Sequence, residues 1–273
     1  MNTQPDFYVP AEAAPSFGRQ SGSVCLDIDH VSLEYGVGQG SIKALEATSL
    51  QIMQNEFAAI VGPSGCGKSS LLYLASGLVP STHGEMRVNG NIITGPGVDR
   101  GMVFQTYTLF PWLNVRDNIA FGPRRRGKSK KEIEEVVNYY INEIGLARFA
   151  DAWPRQLSGG MMQRVAIARA LANDPDVLLM DEPFGALDSQ TRLQMQQLLL
   201  EVWDHNNKTV LFVTHDIDEA IFLADRVYVM SGRPGRIHDI IDIGLSRPRD
   251  GEVVMASEFI DIKRRILKIL SAA

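Results

Sequence analysis

The stretch from Phe57 to Ser69 constrains this chain more than any other part of it. Phe57-Ala58-Ala59-Ile60-Val61 is a short, wholly apolar run, the pattern of a strand buried on both faces of a parallel sheet. It ends on Gly62-Pro63-Ser64-Gly65-Cys66-Gly67-Lys68-Ser69, and Lys68 to Gly77 then reads as a helix. Strand, glycine-rich turn and helix are the context in which Gly-x-x-x-x-Gly-Lys-Ser holds phosphate. Its glycines let backbone N–H groups turn inward, and the helix N-terminus adds partial positive charge. Lys68 is expected to reach the β- and γ-phosphates of a nucleotide, and Ser69 to hold Mg2+. A chance glycine-rich turn, the competing reading, leaves the flanking strand and helix unexplained.

The same pattern recurs downstream. Val177-Leu178-Leu179-Met180 and Val210-Leu211-Phe212-Val213 are further buried-strand runs separated by helical patterns, as in an α/β domain. The first ends in Asp181-Glu182-Pro183. An open α/β sheet binds ligands at the carboxyl ends of its strands, so this acidic pair is placed for chemistry. Asp181 is expected to hold Mg2+, and Glu182 to orient or deprotonate an attacking water. Without the upstream loop, such a pair would read as a helix cap. Val24 to Ile28 begins an alternating strand, and alternation returns after Gly232-Arg233-Pro234-Gly235 through Ile243.

Between Gln105 and Leu157 the apolar strand runs stop. Ile133, Val136, Val137, Tyr140 and Ile144 fall at helical spacing, so a helical subdomain is inserted there. A final helix carries Phe259, Ile262, Ile266, Ile269 and Leu270 on one side and is expected to dock on its own domain. Residues 1–22, with Pro5, Pro10 and Pro15, read as a disordered tail.

Leu157-Ser158-Gly159-Gly160-Met161 precedes a helix expected to begin near Met162. It resembles the signature motif of ABC ATPases. Other matches follow the family's order: Gln105 after Met102-Val103-Phe104 is similar to the Q-loop, Gly185-Ala186-Leu187-Asp188 to the D-loop, and His215 to the switch histidine. Tyr35 stands where the family stacks an aromatic ring on adenine. Taken singly, His215, Gln105 and Tyr35 read as ordinary packing or surface residues; their order and spacing give them weight.

The resemblance covers about residues 24–245. It implies a RecA-like P-loop NTPase core with an antiparallel β subdomain and an inserted α-helical subdomain at about 106–158. The ATPase domain would span 23–245, followed by a C-terminal helical extension at 246–273. It implies ATP and Mg2+ as cofactors. Tyr35, Gly62, Pro63, Ser64, Gly65, Cys66, Gly67, Lys68, Ser69 and Ser70 would contact one nucleotide. Ser158, Gly159, Gly160 and Asp188 would serve the nucleotide held by a second ATP-binding subunit, taken as a second copy. Glu182, His215 and Gln105 would be catalytic, with Gln105, Ser69 and Asp181 at the metal. Met161 stands where the family commonly has Gln, and Gly185 where Ser is common.

Gly95 to Gly101, Leu109 to Val115, Met230 to Ile237 and Leu245 to Arg249 further resemble the nitrate/sulfonate/taurine branch of bacterial importers. That branch implies membrane permease subunits, a substrate-binding protein, and a peripheral location on the cytoplasmic face of the inner membrane. The patch Leu109-Phe110-Pro111-Trp112-Leu113 reads equally as core and as the border of a permease groove, with Trp112 the candidate exposed anchor. Arg124-Arg125-Arg126-Gly127-Lys128 with Lys130-Lys131 reads as a solvated, mobile face, the alternative being contact with lipid headgroups or a partner.

Bulk properties agree. The net charge of −5 gives no global basic field, so no nucleic-acid partner is expected. Cys25 and Cys66 show no metal spacing and fit a reducing compartment. No apolar run approaches the roughly 18 residues of a membrane helix, and Met1 to Gln20 lacks a signal-peptide pattern. Transport would therefore need a separate membrane partner. The alternative is a soluble ABC ATPase of assembly or repair; a P-loop kinase or GTPase leaves the Ser158 motif unexplained.

Overall fold

The computed structural model describes residues 22–36, 40–206 and 208–272. The tail expected at 1–22 lies outside the described residues except for Gly22.

Apolar side chains on both faces of the short runs dictate the central layer. Five parallel strands and one antiparallel edge strand form a six-stranded sheet: β3 (Phe57–Val61), β6 (Arg100–Val103), β7 (Val177–Asp181), β8 (Thr209–Thr214), β9 (Arg226–Ser231) and β10 (Arg236–Asp242), in spatial order β10-β9-β3-β8-β7-β6. Side chains alternate between two cores. Phe57, Ala59 and Val61 join one face with Leu178, Met180, Val210, Phe212, Val227 and Val229. Ala58 and Ile60 join the other with Val177, Leu179, Leu211, Val213, Tyr228 and Met230. Every residue of β3, β7 and β8 is buried, as strands covered on both faces require.

A second, antiparallel sheet covers one face: β1 (Val24–Tyr35), β2 (Ile42–Met53), β4 (His83–Val88) and β5 (Asn91–Ile92), ordered β2-β1-β4-β5. It encloses α1 (Lys68–Ser76), whose Leu71, Leu72, Leu74 and Ala75 fill the space between the sheets.

The opposite face receives α2 (Val115–Arg125), α3 (Lys130–Glu143), α4 (Gly159–Leu171), α5 (Ser189–Asn206), α6 (Ile217–Leu223) and α7 (Ser257–Ala272). The helical insertion thus stands where the apolar strand runs stop. A capping box between Ser129 and Glu132 starts α3. The helix after the Ser158 motif begins at Gly159, three residues before the expected start. Ser158 caps it by accepting from the Met161 N–H, so the glycines occupy the first turn, where backbone N–H groups have no helical partner to lose.

The final helix docks as expected: Phe259 and Ile266 are buried in the main core, with Ile262, Ile269 and Leu270 partly covered beside them. No described helix is long and apolar enough to cross a membrane.

Candidate nucleotide-binding site

Parallel register brings the candidate residues together. Val61 pairs with Thr214, Asp181 with Val213, and Val103 with Met180. The strands β3, β8, β7 and β6 are consecutive neighbours, so their carboxyl ends share one edge. The phosphate loop leaves β3 there, His215 follows β8, Asp181 and Glu182 end β7, and Gln105 lies two residues past β6.

The loop runs from buried Gly62 through exposed Pro63, Ser64 and Gly65 to buried Cys66 and Lys68. Gly67 precedes α1 in the left-handed region at φ +98°, a conformation natural to glycine. Lys68 is only 4% exposed. Its Nζ donates to the Gly62 and Pro63 carbonyls at 2.9 and 3.2 Å and lies 3.7 Å from Glu182 Oε1. A buried ammonium needs such acceptors. Burial pushes the Cys66 thiol up, although Lys68 pulls the other way, so the thiol is held protonated and unreactive.

Ser69 Oγ donates to Asp181 Oδ1 at 2.8 Å. Burial holds the Asp181 carboxyl above its ordinary value; the Ser69 hydroxyl that bonds it, and the nearby Tyr73 hydroxyl, act in the opposite direction. Glu182 lies at φ +41°, a strained conformation for a side chain with a Cβ. Its N–H still donates to the Val213 carbonyl, which extends the ladder one residue past β7 before the chain turns. Glu182 Oε2 lies 2.8 Å from His215 Nδ1, so the two side chains meet across the β7 and β8 ends. Gln105 is exposed, and its Nε2 lies close to Gly185.

The pair Ser69 and Asp181 presents adjacent oxygen ligands. Among the described residues no group of three metal-binding side chains occurs. That donor set suits Mg2+, which takes one or two protein oxygens and completes its shell from phosphate and water.

Tyr35 ends β1 with its hydroxyl 3.4 Å from Ser70 Oγ and is 44% exposed. Ser158, Gly159 and Gly160 stand elsewhere. Gly159 lies against Tyr107 and Leu187, and Gly160 against Thr191. Among the described residues no hydrogen bond joins Ser158 to the phosphate loop. Asp188 caps α5 by accepting from the Thr191 N–H, which holds its carboxyl below the ordinary value.

Motif reading missed two side chains. Tyr73 reaches Asp181 from α1. It stands four residues after Ser69 and therefore on the same helix face, so the spacing was a usable signal. Arg233 donates to the Ser64 carbonyl at 3.1 Å from the turn between β9 and β10, a contact across 169 residues that no local pattern announces.

Comparison with known proteins agrees with this geometry. The profile of the ABC transporter family matches residues 45–185. The chain is 50% identical to a nitrate import ATP-binding protein of Synechocystis over 227 residues, covering 83% of this chain and 85% of that one. It is 47% identical over 214 residues to a taurine import ATP-binding protein of Ruegeria pomeroyi, covering 78% and 80%. It is also 48% identical over 252 residues to an ABC transporter ATP-binding protein of Methanocaldococcus jannaschii, covering 92% and 93%. Among solved structures, a dimeric ATP-binding cassette in a post-hydrolysis state with ADP and Pi superposes with a TM-score of 0.70 at 34% identity, covering 81% of this chain and 100% of that one. A family profile over half of the chain, and relatives this similar over most of their length, mean that this chain belongs to the ABC transporter family as one of its ATP-binding subunits.

Proposed function

We propose that this chain hydrolyses ATP to power solute import through a separate membrane permease, with a solute of the nitrate, sulfonate or taurine class. The observation that carries the catalytic part is the contact of Glu182 with His215 at 2.8 Å, beside the Ser69–Asp181 pair, on the edge where the phosphate loop opens. The solute class rests on the nitrate and taurine import relatives.

In this reading the loop N–H groups from Gly62 to Ser70 cradle the phosphates and Lys68 turns its ammonium to them. Ser69, Asp181 and Gln105 would hold Mg2+, which would supply positive charge to offset that of the phosphates. Glu182 accepts the proton of the attacking water, and His215 fixes the carboxylate from the β8 side. Tyr35 stacks on adenine. Ser158 with the Gly159 and Gly160 N–H groups forms an anion site at the N-terminus of α4, thirteen residues long. Among the described residues no hydrogen bond joins it to the loop of its own chain, which fits a role on the nucleotide of a second copy, with Asp188 at the same interface. Two chains would then close head to tail over two nucleotides.

The permease would sit against the exposed aromatic patch after Gln105. Trp112 is 66% exposed and stacks at 5.6 Å on Phe110, which meets Phe121 at 4.5 Å. Buried Asn118 bonds the Phe110 N–H and the carbonyls of Phe110, Leu113 and Asn114, so the patch is held outward by a rigid loop. A substrate-binding protein completes the complex on the other side of the membrane, and this chain works peripherally at the cytoplasmic face. We assign 23–245 to the ATPase domain, about 106–158 to its helical subdomain, and 246–273 to a C-terminal extension.

Purification from mild detergent tests the reading. Mg2+-dependent ATPase activity and co-recovery of an integral membrane protein are expected. Activity without any membrane protein would favour the soluble assembly or repair class.

A further inference from the structure

The turn between β9 and β10 presses on the phosphate loop from outside. A Cβ at Gly235 would stand 1.8 Å from the Cys66 carbonyl oxygen, and one at Gly62 would stand 2.0 Å from the Met230 carbonyl oxygen. Backbone therefore meets backbone there, and only glycine admits the approach. Gly235 also donates to the Ala44 carbonyl at 3.0 Å and accepts from the Glu46 N–H at 2.9 Å, which ties the turn to β2. Two residues before Gly235, Arg233 reaches over the loop tip and donates through Nη2 to the Ser64 carbonyl at 3.1 Å. Its charge is felt in the loop: it draws the Cys66 thiol down against the larger effect of burial.

Peptide geometry gives this contact a consequence. In a trans peptide the C=O of one residue and the N–H of the next point in opposite directions. Holding Ser64 O from outside therefore turns the Gly65 N–H to the inner side, where a phosphate loop needs it. Lys68 holds the carbonyls of Gly62 and Pro63, two residues and one residue before Ser64, so Arg233 is the side chain that fixes the next carbonyl along the loop. Among the described residues its guanidinium has no carboxylate partner.

We infer that Arg233 is a positioning residue of the nucleotide site: it braces the Ser64 carbonyl so that the Gly65 N–H stays turned to the phosphates. The inference rests on the ATPase reading above. It assigns to the β9–β10 turn a share in phosphate binding, and none in adenine binding.

Fluorescence titration with mant-ATP, mant-ADP and mant-adenosine tests it on the full-length protein, wild type and Lys68→Ala run in parallel. Arg233→Ala is expected to weaken mant-ATP and mant-ADP by about tenfold, the loss of one charge-assisted hydrogen bond. Mant-adenosine affinity should stay at the wild-type value, and Arg233→Lys, which keeps a donor for Ser64 O, should recover most of the loss. Affinities for ATP and ADP within twofold of wild type overturn the inference. So does an equal loss for all three ligands, which marks a general structural role, or a failure of Lys to rescue. If Arg233→Ala does not fold, Arg233→Met carries the same comparison. A wild-type protein that binds neither mant-ATP nor mant-ADP would instead sink the ATPase reading.

Discussion

Asp181 is buried at the end of β7, and burial keeps its carboxyl above the ordinary range even with the Ser69 hydroxyl bonded to it. An acid whose pKa is raised by folding opposes folding wherever it is ionised. That cost is absent below its unfolded value near about 4 and complete above the raised folded value. Asp181→Asn keeps an oxygen for Ser69 and removes the charge. The variant is expected to melt no lower than wild type at pH 8, and the difference should shrink as the pH falls below about 4. Its Mg2+-dependent hydrolysis should fall on the order of a hundredfold. Calorimetry across the pH range together with a phosphate-release assay checks both halves. A variant less stable at pH 8 would show that the ionised carboxylate stabilises the fold through its partners.

At the scale of elements, α7 shows how a terminal helix becomes part of the core. Phe259 and Ile266 are seven residues apart, two turns along one face, and both are buried in the main cluster, while Lys263 reaches Asp218 beside α6 at 2.8 Å. Arg249 precedes the helix and donates to the Ile221, Phe222 and Ala224 carbonyls, which closes the end of α6. Phe259→Ala is expected to cost about 3–5 kcal/mol in urea unfolding. A cost under about 1 kcal/mol would mean that α7 detaches freely. The loop before α2 behaves in the opposite way. Its aromatic residues are held by Asn118 but left uncovered, so Trp112→Ala should barely change the stability of the isolated chain. It should weaken permease assembly by roughly tenfold or more, as loss of an interface anchor does. Pull-down with the membrane subunits reads that difference.

At the scale of the whole molecule, the candidate residues fall into two separate groups. The phosphate loop, Glu182 and His215 lie on one sheet edge. The Ser158 cap stands on a helix whose first turn touches Tyr107, Leu187 and Thr191. Leu187 and Thr191 stand either side of Asp188, so the second group joins α4 to the start of α5. If two copies complete each other, Glu182→Gln should keep ATP binding and lose hydrolysis by about 10²–10⁴-fold, the contribution of a general base. Light scattering should then show an ATP-dependent dimer that wild type forms only briefly. Hydrolysis at the wild-type rate would remove Glu182 from the catalytic role, and a variant that stays monomeric with ATP would separate the Ser158 site from the nucleotide.

Much of this was legible along the chain. The two-sided burial of β3, β7 and β8 is written in their apolar runs, because a strand covered on both faces has little room for polar side chains except at its ends, where Asp181, Thr209 and Thr214 stand. The loop from Gly62 to Ser69, the acidic end of β7 and His215 are local too, since each is fixed by the strand it follows. Spacing along a helix also held Tyr73, through its four-residue offset from Ser69. What tertiary structure alone decided are contacts between segments that share no local pattern. The strand order β10-β9-β3-β8-β7-β6 sets His215 beside Glu182. The antiparallel sheet closes over α1 and brings Tyr35 to Ser70. The β9–β10 turn lays Arg233 and Gly235 on the phosphate loop. Local residues determine which backbone each segment adopts; long-range packing determines which loops meet, and it is where loops meet that this chain has its site.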